Sequence, residues 1–132
     1  MRLASVAALG IPGGMRSFLV PATLSLRGTA FAGPLKYILA GAAAGELVAD
    51  KQPGMASRLA LRGLSFRIVG GALAGNALAG PRGALATSAV AGASAWASHG
   101  LRAALAQRLG SDLPAAITED VVAIALVVVL TR

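Results

Sequence analysis

An all-α, polytopic transmembrane helical bundle is the fold class this sequence predicts, and three observations carry it. The chain has 132 residues, 56% of them hydrophobic and only 13% charged, a balance that soluble domains of this size rarely show. Its mean hydropathy is correspondingly high, at +0.74. Gly and Pro clusters cut it into about five apolar runs of helical length. Within those runs Gly and Ala recur at intervals of three and four, the spacing that lets helices approach closely. The expectation is a single transmembrane domain over residues 1–132, made of about five short Gly/Ala-rich spans.

Composition also excludes several functions. Without Cys there is no disulfide framework, no thiolate nucleophile and no Cys metal site, and the single His99 cannot build a His cluster. No metal and no cofactor are expected. The net charge of +7 is spread between apolar runs and aromatics make up 4% of the chain, so the expected counter-charge is anionic lipid headgroups of a bilayer and not nucleic acid. Neither a GxSxG elbow nor a P-loop is present, since the Gly10 to Gly14 stretch lacks the Lys-Ser/Thr that a phosphate cradle needs. A Ser98-His99 pair followed by Arg102 suggests acid–base work, but a lone His on a small-residue face reads as a packed or interfacial one. The chain is not expected to be an enzyme.

The spans follow in order. Met1-Arg2 with its apolar run fits a signal peptide poorly, because Pro12-Gly13-Gly14 interrupts the run and Arg16 and more apolar sequence follow. Leu3 to Leu26 therefore reads as a first span, broken near Pro12 to Gly14, with a small-residue face of Gly10, Gly14, Ser17 and Pro21. A turn over Arg27 to Pro34 leads to the second span, Leu35 to Ala49. This span ends in GAAAGELVADKQP, where Gly41 and Gly45 share a helix face and Glu46 and Asp50 share another. Lys51 and Pro53 mark the exit, and Asp50 and Lys51 fit an interfacial helix end. Glu46 lies a turn deeper.

The third span runs from Leu61 to Ala79 with Arg62 and Arg67 in its first half, and Gly80-Pro81-Arg82-Gly83 is the clearest turn signal. Ala84 to Leu109 is one long run in which Ser88, Gly92, Ala95, His99 and Arg102 fall on one face. Gly110 closes it, Ser111 or Asp112 caps the next helix, and Ala115 to Thr131 is the last span. Gly41 to Glu46 also matches Gly71 to Asn76, a possible local repeat that places GxxxG faces on two helices. With five spans, Arg2, Lys51, Arg58, Arg62, Arg102 and Arg108 fall on one side and Arg27, Lys36, Arg82 and Arg132 on the other. That excess places the N-terminus in the cytoplasm and the C-terminus outside.

The load of intramembrane charge is high for so small a chain. Arg16, Glu46, Arg67, Arg102, Glu119 and Asp120 lie within or at the edge of spans, and in low dielectric they are expected to pair: Arg16 with Glu46, Arg67 or Arg102 with Glu119 or Asp120. One reading makes these pairs fix helix register only. The other makes the Arg residues a site for an anionic headgroup or solute and the carboxylates a proton relay.

Gly14-x-Arg16-Ser17 followed by Pro21, Glu46-x-x-x-Asp50-Lys51-x-Pro53 followed by Ser57-Arg58, Arg67-x-x-x-Gly71-Ala72-x-x-Gly75 and the late Glu119-Asp120 resemble bacterial membrane proteins grouped as domain of unknown function 4126. The most specific part is ELVADKQP, similar to the family's E-x-x-x-D-K-x-P signature, with Gln52 where an aliphatic residue is common. The resemblance implies a multi-pass protein of the bacterial inner membrane and supplies no reaction. Two functions follow: transport or translocation of an anionic solute or lipid through the charged site, or a structural subunit of a homo-oligomer or larger membrane complex.

Overall fold

The computed structural model describes residues 2–49 and 61–132, and every regular element among them is an α-helix. These are α1 (Leu3–Ala8), α2 (Gly10–Met15), α3 (Leu19–Leu26), α4 (Leu35–Ala49), α5 (Leu61–Leu109) and α6 (Asp112–Leu130). Proline sets most of the starts. Pro21 and Pro114 occupy the first turns of α3 and α6, and Pro34 directly precedes α4, positions where a missing N–H costs nothing. Pro12 has its steric conflict with the carbonyl four residues earlier, and there α1 and α2 meet at Leu9 in a tightened turn. Leu3–Met15 is thus one apolar helix with a joint.

α5 is continuous only in name. Ala79 and Gly80 leave helical geometry, and Gly80 takes a φ of +63° that favours glycine, with Pro81 opening the next helix behind it. The result is a hairpin of two limbs, 61–78 and 81–109. Its limbs touch through glycine: a Cβ on Gly75 would meet the backbone of Gly83 and lie 2.6 Å from Thr87 Oγ1, and one on Gly71 would lie 3.1 Å from Ala91 Cβ. The turn expected at Gly80 to Gly83 is therefore present, and Leu35–Ala49 coincides with the second expected segment.

Leu3 to Leu26 departs from expectation. The chain leaves helical geometry at Arg16, which is extended (φ −141°, ψ 118°), and resumes at Leu19. The break lies at Arg16 to Phe18, not at Pro12 to Gly14, because Pro21 disfavours helix at the residues before it. The chain also reverses there. α1 and α2 run parallel to the second limb of α5, since Thr87 Oγ1 donates to Val6 O at 3.0 Å and Ser94 Oγ to Ile11 O at 2.7 Å. α6 returns against that limb through Arg102 with Asp112, and α3 runs alongside α6, with Arg16 on Asp120 and Arg27 on the Thr131 carbonyl. Residues 3–26 consequently form a helical hairpin whose tip is buried in the bundle, in place of the first crossing span. Arg27, Thr131 and the Gly80 turn lie at one end, so the described chain begins and finishes on the same side of the bundle, contrary to the topology expected from five spans.

Packing rests on small residues. The buried stripe of the second limb is Gly83, Thr87, Ala91, Ala95 and Ser98, which shares Ala95 with the expected face and lies one position away from its Ser88, Gly92 and His99. Gly10 and Gly14 sit against it, where a Cβ on Gly14 would meet the Ala91 carbonyl and lie 2.6 Å from Ser94 Cβ. Gly92 makes only ordinary contact with Ile68 at 3.9 Å, and Gly41 and Gly45 have nothing within 4 Å among the described residues. The expected close-packing role of Gly41 and Gly45 is not seen among the described residues, because α4 turns that face away from them. Gly41 and Asn76 are exposed while Gly71 and Gly75 are buried, so the two GxxxG segments occupy unlike surroundings. A core of Leu9, Val20, Leu24, Ala74 and Val127 fills the space between the hairpin, α5 and α6.

Gly14→Ala and Gly75→Ala are each expected to lower stability by about 1–3 kcal/mol through overpacking against backbone. Gly41→Ala, facing open space, is expected to be neutral or slightly stabilising. Thermal unfolding of the three purified variants checks this, and equal losses at all three positions would contradict the packing described.

Candidate functional site

Two helix ends meet at the tip of the hairpin, and both are away from bulk solvent. The last carbonyls of α2 and the first N–H groups of α3 have no helical partners and carry the negative and positive ends of the helix dipoles. Charged side chains of matching sign meet them. Arg67 Nη1 donates to Gly14 O at 2.7 Å and Arg16 Nη1 to Met15 O at 3.1 Å. On the other side, the N–H groups of Ser17 and Phe18 donate to Glu46 Oε1 at 2.8 Å and Oε2 at 3.1 Å. One carboxylate is thus held by two consecutive backbone donors.

The side chains that serve these ends are tied to each other. Arg67 Nη2 lies 3.8 Å from Glu46 Oε1. Arg16 Nε donates to Asp120 Oδ1 at 2.8 Å, its Nη2 contacts the same oxygen, and Nη2 lies 4.0 Å from Glu119 Oε2. Glu119 is shared in turn with Arg102, whose Nη1 is 3.4 Å away, and Arg102 reaches Asp112 through Nε at 2.9 Å and Nη2 at 2.5 Å. Burial makes this costly to disturb. Arg16 is only 1% exposed and Arg67 5%, while Glu119 and Asp120 are 8% and 9% exposed. Asp112 stands at the wet end, its side chain 62% exposed.

Each element reaches the tip for a local reason. α6 presents Glu119 and Asp120 on its buried face with Ala115, Ala116, Ala123 and Val127. The first limb of α5 presents Arg67 on the face that carries Gly70, Gly71 and Ala74, and Gly70 abuts the Ser17 carbonyl that Pro21 leaves outside a helix. α4 buries only Ala43, and Glu46, three residues on, lies on the same side of that helix.

Arg16, Glu46, Arg67, Arg102, Glu119 and Asp120 therefore gather around one hairpin tip, as residues 104 apart in sequence do in the Arg16 contact with Asp120. The partner of Arg16 differs from the one the sequence suggested. Arg16 is paired with Asp120 and not with Glu46, because the reversal at Arg16 turns its side chain towards α6, and Arg67 lies beside Glu46. The Arg102 pair with Glu119 is present. Asp50 and Lys51 lie outside the described residues. Sequence reasoning missed the Ser17 and Phe18 N–H groups, for which Pro21 was the available signal. Of the two caps expected for α6, Ser111 or Asp112, Ser111 takes the N-cap position without a capping hydrogen bond, and Asp112 holds Arg102. Among the described residues no group of three His, Cys, Asp or Glu side chains is disposed to hold a metal ion.

Comparison of the chain with protein-family models, with curated proteins and with solved structures finds no match. What the site does is argued from its own geometry.

Removing one partner of a buried pair costs on the order of 3–5 kcal/mol, whereas replacing both by apolar residues is often neutral. Arg16→Met is accordingly expected to be strongly destabilising, and Arg16→Met with Asp120→Leu to recover much of the loss. Asp112→Asn, at the solvated end, is expected to cost far less. Chemical denaturation of the set measures the coupling, and additive effects of Arg16 and Asp120 would refute a shared site.

Proposed function

We propose that this chain is a multi-pass protein of the bacterial inner membrane that moves an anionic solute or lipid past the charged hairpin tip. The single observation that carries the reading is the reversal at Arg16 to Phe18, whose N–H groups hold the Glu46 carboxylate beside Arg67. Irregular backbone within a bilayer is tolerated only where protein buries it or where it lines a cavity, and half-helix N-termini aimed at anionic groups are a recurring device of transporters. Glu46 occupies the place of such an anion. Its side chain is 17% exposed, more than those of its neighbours, and its helix is the least embedded of those that supply the tip.

The membrane setting is supported by polarity. α6, Asp112–Leu130, is long and apolar enough to cross a bilayer, with a mean hydropathy of 2.2 over its window. Tyr37, Ile38, Leu85, Trp96, Leu101 and Val121 are all more than 60% exposed while the arginines are buried, the reverse of what water favours. The resemblance to the 4126 family supports the bacterial inner membrane. A second reading, a structural subunit of an oligomer or larger complex, is favoured by the outward Gly41 and Gly45 face of α4, which is shaped for another helix and covered by none of the described residues.

Extraction of membranes with alkaline carbonate is expected to leave the protein in the pellet, and reporters fused ahead of Arg2 and behind Arg132 to appear on the same side. A soluble protein, or reporters on opposite sides, would overturn this arrangement. For transport, liposomes containing the protein are loaded in turn with chloride, acetate, phosphate and a fluorescent anionic lipid. Protein-dependent movement of at least one, lost in Glu46→Ala variants that remain folded, is the expected result; no movement of any would leave the structural reading standing.

A further inference from the structure

Beside the tip, α2, the second limb of α5 and α6 line a half-open pocket of ≈ 180 Å³ walled by Met15, Leu101, Leu105, Ala115 and Val122, with Ser98, Thr118 and the Arg102–Glu119 pair completing it. Its lining is almost wholly apolar. A cavity of about 150 Å³ with such walls accommodates a benzene ring, so this one suits a hydrocarbon tail of about six carbons. At its rim stands Arg102, whose planar fork is engaged through Nε and Nη2 by the carboxylate of Asp112. That carboxylate is attached to a largely exposed side chain and is exchangeable with a soluble one.

We propose that this cavity binds a single-chain alkyl carboxylate of medium length, with the tail among Leu101, Leu105 and Val122 and the carboxylate on Arg102 in place of Asp112. The exchange is neutral in charge, one carboxylate for another. A phosphate head would bring further negative charge close to Glu119, which already lies 3.4 Å from Arg102 Nη1, and is disfavoured. A cationic head would have to sit against the guanidinium. A neutral head would leave Arg102 with Asp112 and gain only the tail. The inference rests on the proposed membrane setting and narrows the proposed anion to an amphiphile. Its test reads binding and needs no flux, so failed transport and failed binding are distinguishable.

The chain has no cysteine, so a single thiol can report the cavity without background. Ser98→Cys, a near-isosteric change at the buried wall, and Thr118→Cys, at its outer edge, are labelled with monobromobimane in nanodiscs of zwitterionic lipid. Leu85→Cys, at an exposed position on the same limb beside the Gly80 turn, is the control. Octanoate is expected to slow labelling of both cavity thiols about tenfold at ten times its half-protecting concentration, by mass action. Labelling of Leu85→Cys should not change. In the Ser98→Cys background, Arg102→Gln is expected to weaken protection about tenfold, the ratio for losing a hydrogen bond to a charged group. Asp112→Asn is expected to strengthen it, because the internal competitor is gone, an outcome that a purely structural Asp112 would not produce. Octyl phosphate, octanol and octylammonium are run beside octanoate. Protection by any of them equal to octanoate, slowing at the Leu85→Cys control, or no saturable protection would overturn the proposal.

Discussion

The constraint on which the structure depends is the need to satisfy backbone polar groups where the chain reverses inside the bundle. At Arg16 to Phe18 the carbonyls that finish α2 and the N–H groups that begin α3 are released together, and an unsatisfied group of this kind is costly wherever water is absent. The dipoles of the two helices add their own demand, for cations at the first end and an anion at the second. Arg16 and Arg67 answer one and Glu46 the other. Arg16 then requires carboxylates of its own, which brings α6 to the tip through Asp120 and Glu119. Close approach of so many helices demands small side chains, which is why Gly10, Gly14, Gly70, Gly71 and Gly75 meet backbone or short side chains. The glycines and the charges are two consequences of one reversal.

Charge balance explains how such an interior is stable at all. Around the tip, the guanidinium groups of Arg16, Arg67 and Arg102 are matched by the carboxylates of Glu46, Glu119 and Asp120, with Asp112 outside in contact with solvent. Desolvating ions is expensive, and a buried pair offsets the expense only with good geometry and further hydrogen bonds. Here Arg16 and Arg67 also cap helix carbonyls and Glu46 also caps helix N–H groups, so these ions have more than one use. Register follows, because sliding α6 by a turn would separate Asp120 from Arg16 and the α6 terminus from Arg27 together.

Much of this was legible in the sequence, and the part that was not has definite physical causes. Helix over Leu35–Ala49, the turn at Gly80-Pro81 and the gathering of six charged residues follow from apolar run length, turn chemistry and the cost of isolated buried charge. The hairpin does not. Pro21 acts on the residues that precede it, and Pro12-Gly13-Gly14 drew the break to a stretch that the glycine-lined contact with α5 keeps helical. The pairing of Arg16 with Glu46 failed for the same reason, since a reversal changes which helix Arg16 faces while leaving its spacing to Glu46 untouched. The buried stripe of the second limb was read one position out because Ala, Ser and Gly differ little in hydropathy, so no periodicity marks the inner face. Spacing states which residues can be approached closely and not whether anything approaches them, and the contrast between Gly75 and Gly41 is the direct case.

The hairpin tip is not equally fixed on all sides, and the asymmetry points to where change can enter. Arg16 and Arg67 come from segments packed into the centre, and the partners of Arg16 on α6 are buried with it. Glu46 comes from α4, which buries only Ala43 and has its Gly41 and Gly45 face open. Release of the Glu46 carboxylate would expose two backbone donors and one guanidinium to another anion while disturbing little other packing, whereas release of Asp120 would dismantle the contact between hairpin and α6. A site that must exchange its occupant is best closed by its least embedded ligand. The same logic holds at the outer end of the network, where Arg102 keeps buried Glu119 on one side and exchangeable Asp112 on the other. Buried carboxylates hold the arrangement together, and those on the periphery are the ones a competing anion can replace.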